Sequence, residues 1–339
     1  MKTKGLIILA GLTIVALATT SAVLRTNPSR IVSDRRGEVV FPELASAGGD
    51  ISLIDIQDGD RSIAIERKDN GFVAAGSNYP VKIEPLRDLV ATLANLRFEE
   101  AKTADPARYS DLGLGEPGSK GEAGKLVTIK KPNGAVLASV LVGNRDASVG
   151  GPQGGTYAKL FDAAQSYLLR GEVKMASMKA DWFDANLAKV DREAIAKIEL
   201  LGGGRDAITL VSTEAGKELE LTNVPEAREA DPSNLSRVIS LIESLDFQDV
   251  RKATQTKSEQ PRKLIAQTRQ GLRLELTLIG EVGDSWFTIA ASSTNESAAA
   301  QAKEIAAKVE GREFRLPGYQ GDLFGWSMNE VTIERKSAG

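Results

Sequence analysis

The chain contains no histidine and no cysteine, and these two absences remove more chemistry than any motif adds. They exclude Ser-His-Asp and Cys-His nucleophile systems, zinc sites of the nitrogen and sulfur type, and haem or iron-sulfur ligation. A hydrolase made from this chain has carboxylates, lysines and tyrosines alone to work with. Disulfides are excluded as well, and so is the lipid-bearing N-terminal cysteine of a bacterial lipoprotein. No charge of one sign dominates, because 43 Lys and Arg nearly balance 46 Asp and Glu. That balance leaves no basic field to draw in nucleic acid, and none is expected as a partner. Neither a G-x-S-x-G nor an S-x-x-K run occurs.

The 339 residues, 42% apolar and 26% charged, have room for about two domains with real cores. After Lys2 and Lys4 comes an uncharged run from Gly5 to Leu24 that ends at Arg25. Twenty helical residues at 1.5 Å each span roughly 30 Å, the thickness of a hydrocarbon core. The run reads as a transmembrane signal anchor, and a signal peptide cleaved near Ala18 to Ala22 is the rival reading. The Arg25, Arg30, Arg35 and Arg36 side argues for the opposite topology by the positive-inside tendency. The short tail ahead of a signal-like core argues for export of the large C-terminal region. The expected order is a cytoplasmic tail 1–4, an anchor 5–24, a juxtamembrane linker 25–50, and α+β repeats over 51–190 and 191–339.

The repeat is the main organisational signal. Leu86, Leu89, Val90, Leu93 and Leu96, followed by Phe98, recur as Leu235, Val238, Ile239, Ile242 and Leu245, followed by Phe247. One amphipathic helix face is written twice. Each copy is preceded by two strand-like runs ending at a turn glycine, Gly71 or Gly216, and followed by a hairpin turning at Asn133-Gly134 or Gln270-Gly271. The units close alike, with Trp182 after the first and Trp326 after the second. The run S-W-F-T-I-A-A-S-S and the Ala-rich helix after it read as additions to the second copy. The expected fold is α+β: an N-terminal transmembrane helix, then two duplicated ββαβββ-like units, each a mostly antiparallel sheet with one packed helix.

Several motifs weaken in context. Gly113 to Gly118 formally matches G-x-G-x-x-G, but Pro117 interrupts it and no strand-to-helix frame surrounds it. The G-D-S at 283–285 has no histidine base to serve it. Residues 140–160 hold Gly143, Gly150, Gly151, Gly154 and Gly155, yet the run enters another strand-like piece rather than a helix N-terminus. It therefore reads as a long hairpin loop, bent by its glycines and solvated by Arg145 and Asp146. The acidic pairs Glu99 and Glu100, Asp181 and Asp184, Glu226 and Glu229 carry too little pattern to assign general acid-base roles. Trp182, Trp286 and Trp326 read as core residues of the sheet edges.

W-F-D-A-N-L-A-K-V-D-R-E-A-I-A-K-I-E-L from Trp182 to Leu200 adds a further signature. Joined by F-P-E-L-A at Phe41, Y-P-V-K-I-E-P-L at Tyr79, A-R-Y-S-D-L-G-L at Ala107 and V-L-V-G-N-R at Val140, the series resembles the bacterial domain-of-unknown-function family forty-three-forty. The landmarks run in order from about Phe41 to Trp326. The resemblance implies a membrane-anchored envelope protein, often encoded beside a gliding-motility-type ABC transporter permease and its auxiliary subunit. It brings no functional residues with it, so no catalytic, cofactor-binding or metal residue is assigned and no cofactor is expected. The expected function is that of a non-enzymatic inner-membrane protein with its C-terminal region in the periplasm, accessory to an envelope ABC transport system. A module binding glycan, lipid or peptide is the alternative, and a carboxylate-dependent hydrolase the third reading.

Overall fold

In the computed structural model, residues 35–47, 50–69, 71–119, 124–149, 154–177, 179–214, 217–254, 261–281 and 286–335 are described. The tail, the anchor and most of the linker lie outside them, as do Gly216 and the G-D-S run. Among the described residues no helix is long and apolar enough to cross a membrane. The chain is α+β, built of mostly antiparallel sheets with a few helices. Its contacts group into two units: the described residues up to Phe72 with Ile83–Ala176, and Val73–Lys82 with Ser177–Gly339. The division falls at Ala176, ahead of the 190/191 expected, and Trp182 belongs to the second unit.

The first unit starts with α1 (Pro42–Ser46), β1 (Leu53–Asp58), β2 (Arg61–Lys68) and the start of β3 (Gly71–Ala74), whose Val73 and Ala74 belong with β4 (Tyr79–Pro80) to the second unit. There follow α2 (Ile83–Asn95), β5 (Arg97–Ala101), β6 (Lys125–Lys130), β7 (Val136–Asp146), β8 (Gly155–Leu160) and β9 (Ser166–Arg170). The sheet of this unit runs β3-β2-β1-β6-β7-β8-β9-β5. Strand periodicity sets the register: Ile54 pairs with Ile65 on one side and Ile129 on the other, and Ile56 with Ile63 and Val127. All six are buried, so one face of three strands becomes a continuous apolar layer; each fully buried side chain contributes about 1.5–3 kcal/mol. On α2 the buried residues are Leu86, Leu89 and Leu93.

The second unit contains β10 (Asn186–Lys189), β11 (Ile195–Leu201), β12 (Ile208–Val211), β13 (Glu220–Leu221), β14 (Arg228–Ala230) and α3 (Pro232–Glu243). It continues with β15 (Ser244–Asp246), β16 (Asp249–Lys252), β17 (Lys263–Thr268), β18 (Leu272–Ile279), β19 (Trp286–Ser293), α4 (Ala299–Val309), β20 (Arg312–Arg315), α5 (Gly318–Gly321) and β21 (Thr332–Glu334). Its main sheet runs β13-β12-β11-β17-β18-β19-β20-β16. Replacing each strand by its counterpart gives β3-β2-β1-β6-β7-β8-β9-β5, the order of the first sheet. The same connectivity is thus built twice, with more strands after the helix than the ββαβββ expectation. The helix α3 is started by Asp231, whose carboxylate accepts from Ser233 N and Asn234 N, with Pro232 in the first turn. Leu272, Leu274, Leu276 and Leu278 of β18 are buried and alternate with half-exposed Arg273, Glu275 and Thr277. Strand β19 is the counterpart of β8 rather than an addition, and the added piece is α4 alone, which packs on β19.

Two further features hold the second unit together. Tyr79, 3% exposed, lies edge-on to Phe183, Phe247 and Phe314 with ring centroids 5.7, 5.1 and 5.9 Å away. Its hydroxyl donates to Asp184 O at 3.0 Å. Burial pushes that hydroxyl up to about 12, with Asp184 adding and Arg312 opposing, so it remains a donor at neutral pH. The guanidinium of Arg312 donates to Ser77 O at 2.9 Å and Asn78 O at 3.1 Å, and Asn78 takes the left-handed conformation at φ 52. Elsewhere Arg262, 4% exposed, donates to Phe324 O at 3.0 Å and to the carbonyls of Gly202 and Trp326.

Candidate functional site

The glycine-rich stretch is a packed strand pair rather than an open cradle. A Cβ on Gly143 would lie 2.3 Å from Leu112 O, and one on Gly113 would lie 2.4 Å from Asn144 Oδ1. Gly143 in β7 is closed in by the carbonyls of Leu112 and Gly113, and Gly113, the left-handed end of the 3-10 turn Ser110–Leu112, by Asn144, so neither has room for a side chain. The G-L-G and V-G-N landmarks are two sides of one close backbone approach. Asp146 does more than solvate the loop: it accepts from Ser148 N at 2.9 Å and from the Tyr157 hydroxyl at 2.8 Å. The hydroxyl of Ser148, its amide and Tyr157 hold the Asp146 carboxyl below its ordinary range. Arg145 pairs with Glu172 at 3.4 Å. Residues 150–153 lie outside the described residues.

The structure gives the acidic pairs separate surroundings. Glu99, with a side chain 9% exposed, is clamped by Arg36 and Arg170, whereas Glu100 is exposed and pairs with Lys102 at 2.9 Å. Asp184 is exposed while Asp181 is half-buried in a 3-10 turn. Glu226 and Glu229 are exposed, the latter in β14 opposite Ile333. Among the described residues no group of three acidic side chains gathers where a metal would sit. Of the tryptophans, Trp182 is 2% and Trp286 9% exposed, and Trp326 is half-buried under the Arg237 guanidinium at 4.8 Å.

Burial opposes ionisation of Glu99, but hydrogen bonds from Arg170 and Arg36 outweigh it and hold its carboxyl below the ordinary value. A depressed folded-state pKa contributes stability above the unfolded value, ~4.3, that is lost as pH falls through the folded value. Glu99→Gln is therefore expected to lower the melting temperature near neutral pH, with the difference from the native chain shrinking toward pH ~3. Circular dichroism melts across that range read it, and a difference independent of pH would refute it.

What the fold does bring together is a groove beside the sheet helix, and it appears in both units. In the first unit a cavity of about 750 Å³ is lined by Asp88, Ala91, Thr92 and Asn95 of α2, by Arg97 of β5, and by Arg170, Gly171, Glu172 and Lys174. Thr92 Oγ1 accepts from Lys174 N at 3.2 Å and donates to Asp88 O at 2.8 Å, tying the far wall to the helix. Arg97 donates to Gly37 O at 2.9 Å. In the second unit a pocket of about 300 Å³ is lined by Arg237, Ser240 and Leu241 of α3, Ser244 and Asp246 of β15, and Tyr319, Gln320 and Leu323. The step that carries Leu86 to Leu235 also carries Asp88 to Arg237, Ala91 to Ser240, Thr92 to Leu241, Asn95 to Ser244 and Arg97 to Asp246. The two grooves use equivalent positions with the charges exchanged. Both volumes lie in the range of small-ligand and peptide sites.

The exchange of charge was available to sequence reasoning, which aligned the apolar faces of the helices and left the polar faces uncompared. Tyr319 and Gln320 carried no signal, since they approach the helix only through the fold. Neither a curated protein nor a solved structure matches the chain. The family model described as Domain of unknown function (DUF4340) matches residues 72–264, which is more than half of the 339, and the chain belongs to that family.

Proposed function

We propose that the protein is a non-catalytic interaction subunit of the bacterial envelope, held at the inner membrane by residues 5–24 with its C-terminal region in the periplasm. In this reading it is accessory to an ABC-type transport system and meets the permease or its auxiliary subunit through the groove of the first unit. The observation that carries it is the groove built twice on one framework with exchanged charges, Asp88 and Arg97 against Arg237 and Asp246. A duplicated framework whose wall residues vary is the pattern of a binding surface, where side chains set the partner and the scaffold does not change. Lys174, exposed and without an ion pair among the described residues, adds a positive charge for an acidic partner segment. The uncharged run 5–24 and the lack of histidine and cysteine support anchoring and the absence of catalysis. The transporter link draws on the family resemblance.

A photo-crosslinking residue at Ala91, tested in living cells, is the direct test. The expected result is an adduct containing a transport permease or its auxiliary subunit, absent when the residue is placed at Val136, which is 55% exposed away from the groove. Equal labelling at both positions, or no adduct at Ala91, would refute the reading. The second reading, a module for an envelope glycan, lipid or peptide, draws on the smaller pocket, where Gln320 Oε1 is buried without a hydrogen-bond partner.

A further inference from the structure

The pocket of the second unit differs from its counterpart in chemistry as well as in size. Ser236, Ser240 and Ser244 line it at four-residue steps, which places three hydroxyls along one side of α3 and its exit. Ser240 and Ser244 donate to Glu243 Oε2 at 3.2 Å and Asp246 Oδ2 at 2.8 Å. A serine hydroxyl gives one hydrogen bond and can take two, so both keep accepting capacity. Arg237 brings donors that are poorly used, since its two hydrogen bonds, to Asn234 Oδ1 and Tyr319 O, are both 3.5 Å long.

The other wall supplies an aromatic ring and an unmet acceptor. Tyr319 is 64% exposed, on the short α5. Next to it Gln320 is 7% exposed, and its Oε1 is the one buried side-chain polar atom without a hydrogen-bond partner among the described residues. A buried amide oxygen left unpaired is costly, and Gln320 bears it on a residue that lines the pocket. Leu241 and Leu323, both buried, lie beneath it. Arg237 and Asp246 offset each other, so the pocket does not select for charge.

We propose that this pocket binds a saccharide unit of an envelope glycan. A pyranose presents alternating hydroxyl donors and acceptors around its rim and an apolar C–H face. The serine row and the Arg237 donors match the rim, and the Tyr319 ring matches the face. A volume of about 300 Å³ holds a terminal unit rather than a long chain. The assignment rests on the ligand-binding reading and uses none of the Ala91 groove, so crosslinking there and sugar binding here succeed or fail separately.

The test uses the full chain in a zwitterionic detergent, because sugar-headed detergents would compete. Maltose and the N-acetylglucosamine disaccharide are the probes, read by saturation-transfer NMR and titration calorimetry. At least one should bind with a dissociation constant below about 1 mM. Tyr319→Ala and Arg237→Ala should each weaken it about tenfold or more, while the melting temperature of Tyr319→Ala stays that of the native chain. Three results would overturn the proposal: no saturation transfer from either sugar at ~10 mM, unchanged binding in both variants, or binding of a neutral Ser- and Asn-rich peptide in place of the sugars.

Discussion

Tyr79→Ala is expected to lower the unfolding free energy of the second unit by about 3–5 kcal/mol, the cost of emptying a buried aromatic site. Three rings, Phe183, Phe247 and Phe314, lose their edge contacts at once, and Asp184 O loses its donor. Tyr79→Phe keeps the rings and removes only the hydroxyl, so it should cost about 1 kcal/mol. The effect can be read selectively, because Trp182, Trp286 and Trp326 are all the tryptophans of the chain and all lie in the second unit. Urea unfolding followed by tryptophan emission should therefore shift, although residue 79 precedes α2 in sequence. A transition that moves only in probes of the first unit would contradict the assignment of Val73–Lys82 to the second. By the same argument a fragment starting at Ser177 lacks Tyr79, and should melt well below the full chain.

Arg262→Ala is expected to be the next most damaging change, about 3 kcal/mol or more. The guanidinium bonds to the carbonyls of Gly202, Phe324 and Trp326 with almost no exposure, and truncation leaves three acceptors without their donor. Burial and the nearby Arg205 pull its pKa down, yet an arginine stays charged at every accessible pH. The contribution is therefore expected to be flat across pH ~5 to ~9, unlike that of Glu99. Arg262→Lys should restore little, since an ammonium does not reach three carbonyls spread as a guanidinium fork does. Emission from Trp326, whose carbonyl is one of the three, should shift to longer wavelength before global unfolding. A variant as stable as the native chain would mean that water replaces the fork without cost.

Much of this fold was readable from one dimension. The apolar faces of α2 and α3 follow from spacing: Leu86, Leu89 and Leu93, and Leu235, Val238, Ile239 and Ile242, are buried as periodicity selects, whereas Val90 is half-buried and Leu241 is buried without having been selected. The turns at Gly134 and Gly271 sit at φ 83 and 92, the region that glycine enters without strain. What escaped were features made by distant residues meeting. Y-P at Tyr79 reads as any short strand, and nothing local says that its ring joins Phe183, Phe247 and Phe314. The strand W-F-T-I-A-A-S-S looked like an insertion because its counterpart T-Y-A-K-L shares its place in the sheet but not its composition. The grooves escaped for a different reason: charges on a solvated helix face carry no periodic signal, and only the alignment of the two helices reveals their exchange.

The two sheets also differ at one corner, where β8 passes to β9 through Phe161–Gln165 in the first unit and β19 passes to β20 through the whole of α4 in the second. A framework that carries an entire helix at this corner in one copy has already shown how much foreign chain the position accepts. For a protein engineer the bend at Phe161–Gln165 is thus a natural entry port for an epitope or a fluorescent reporter. None of its residues lines the groove of the first unit, so a reporter placed there lets the chain be followed in cells with that contact surface unaltered.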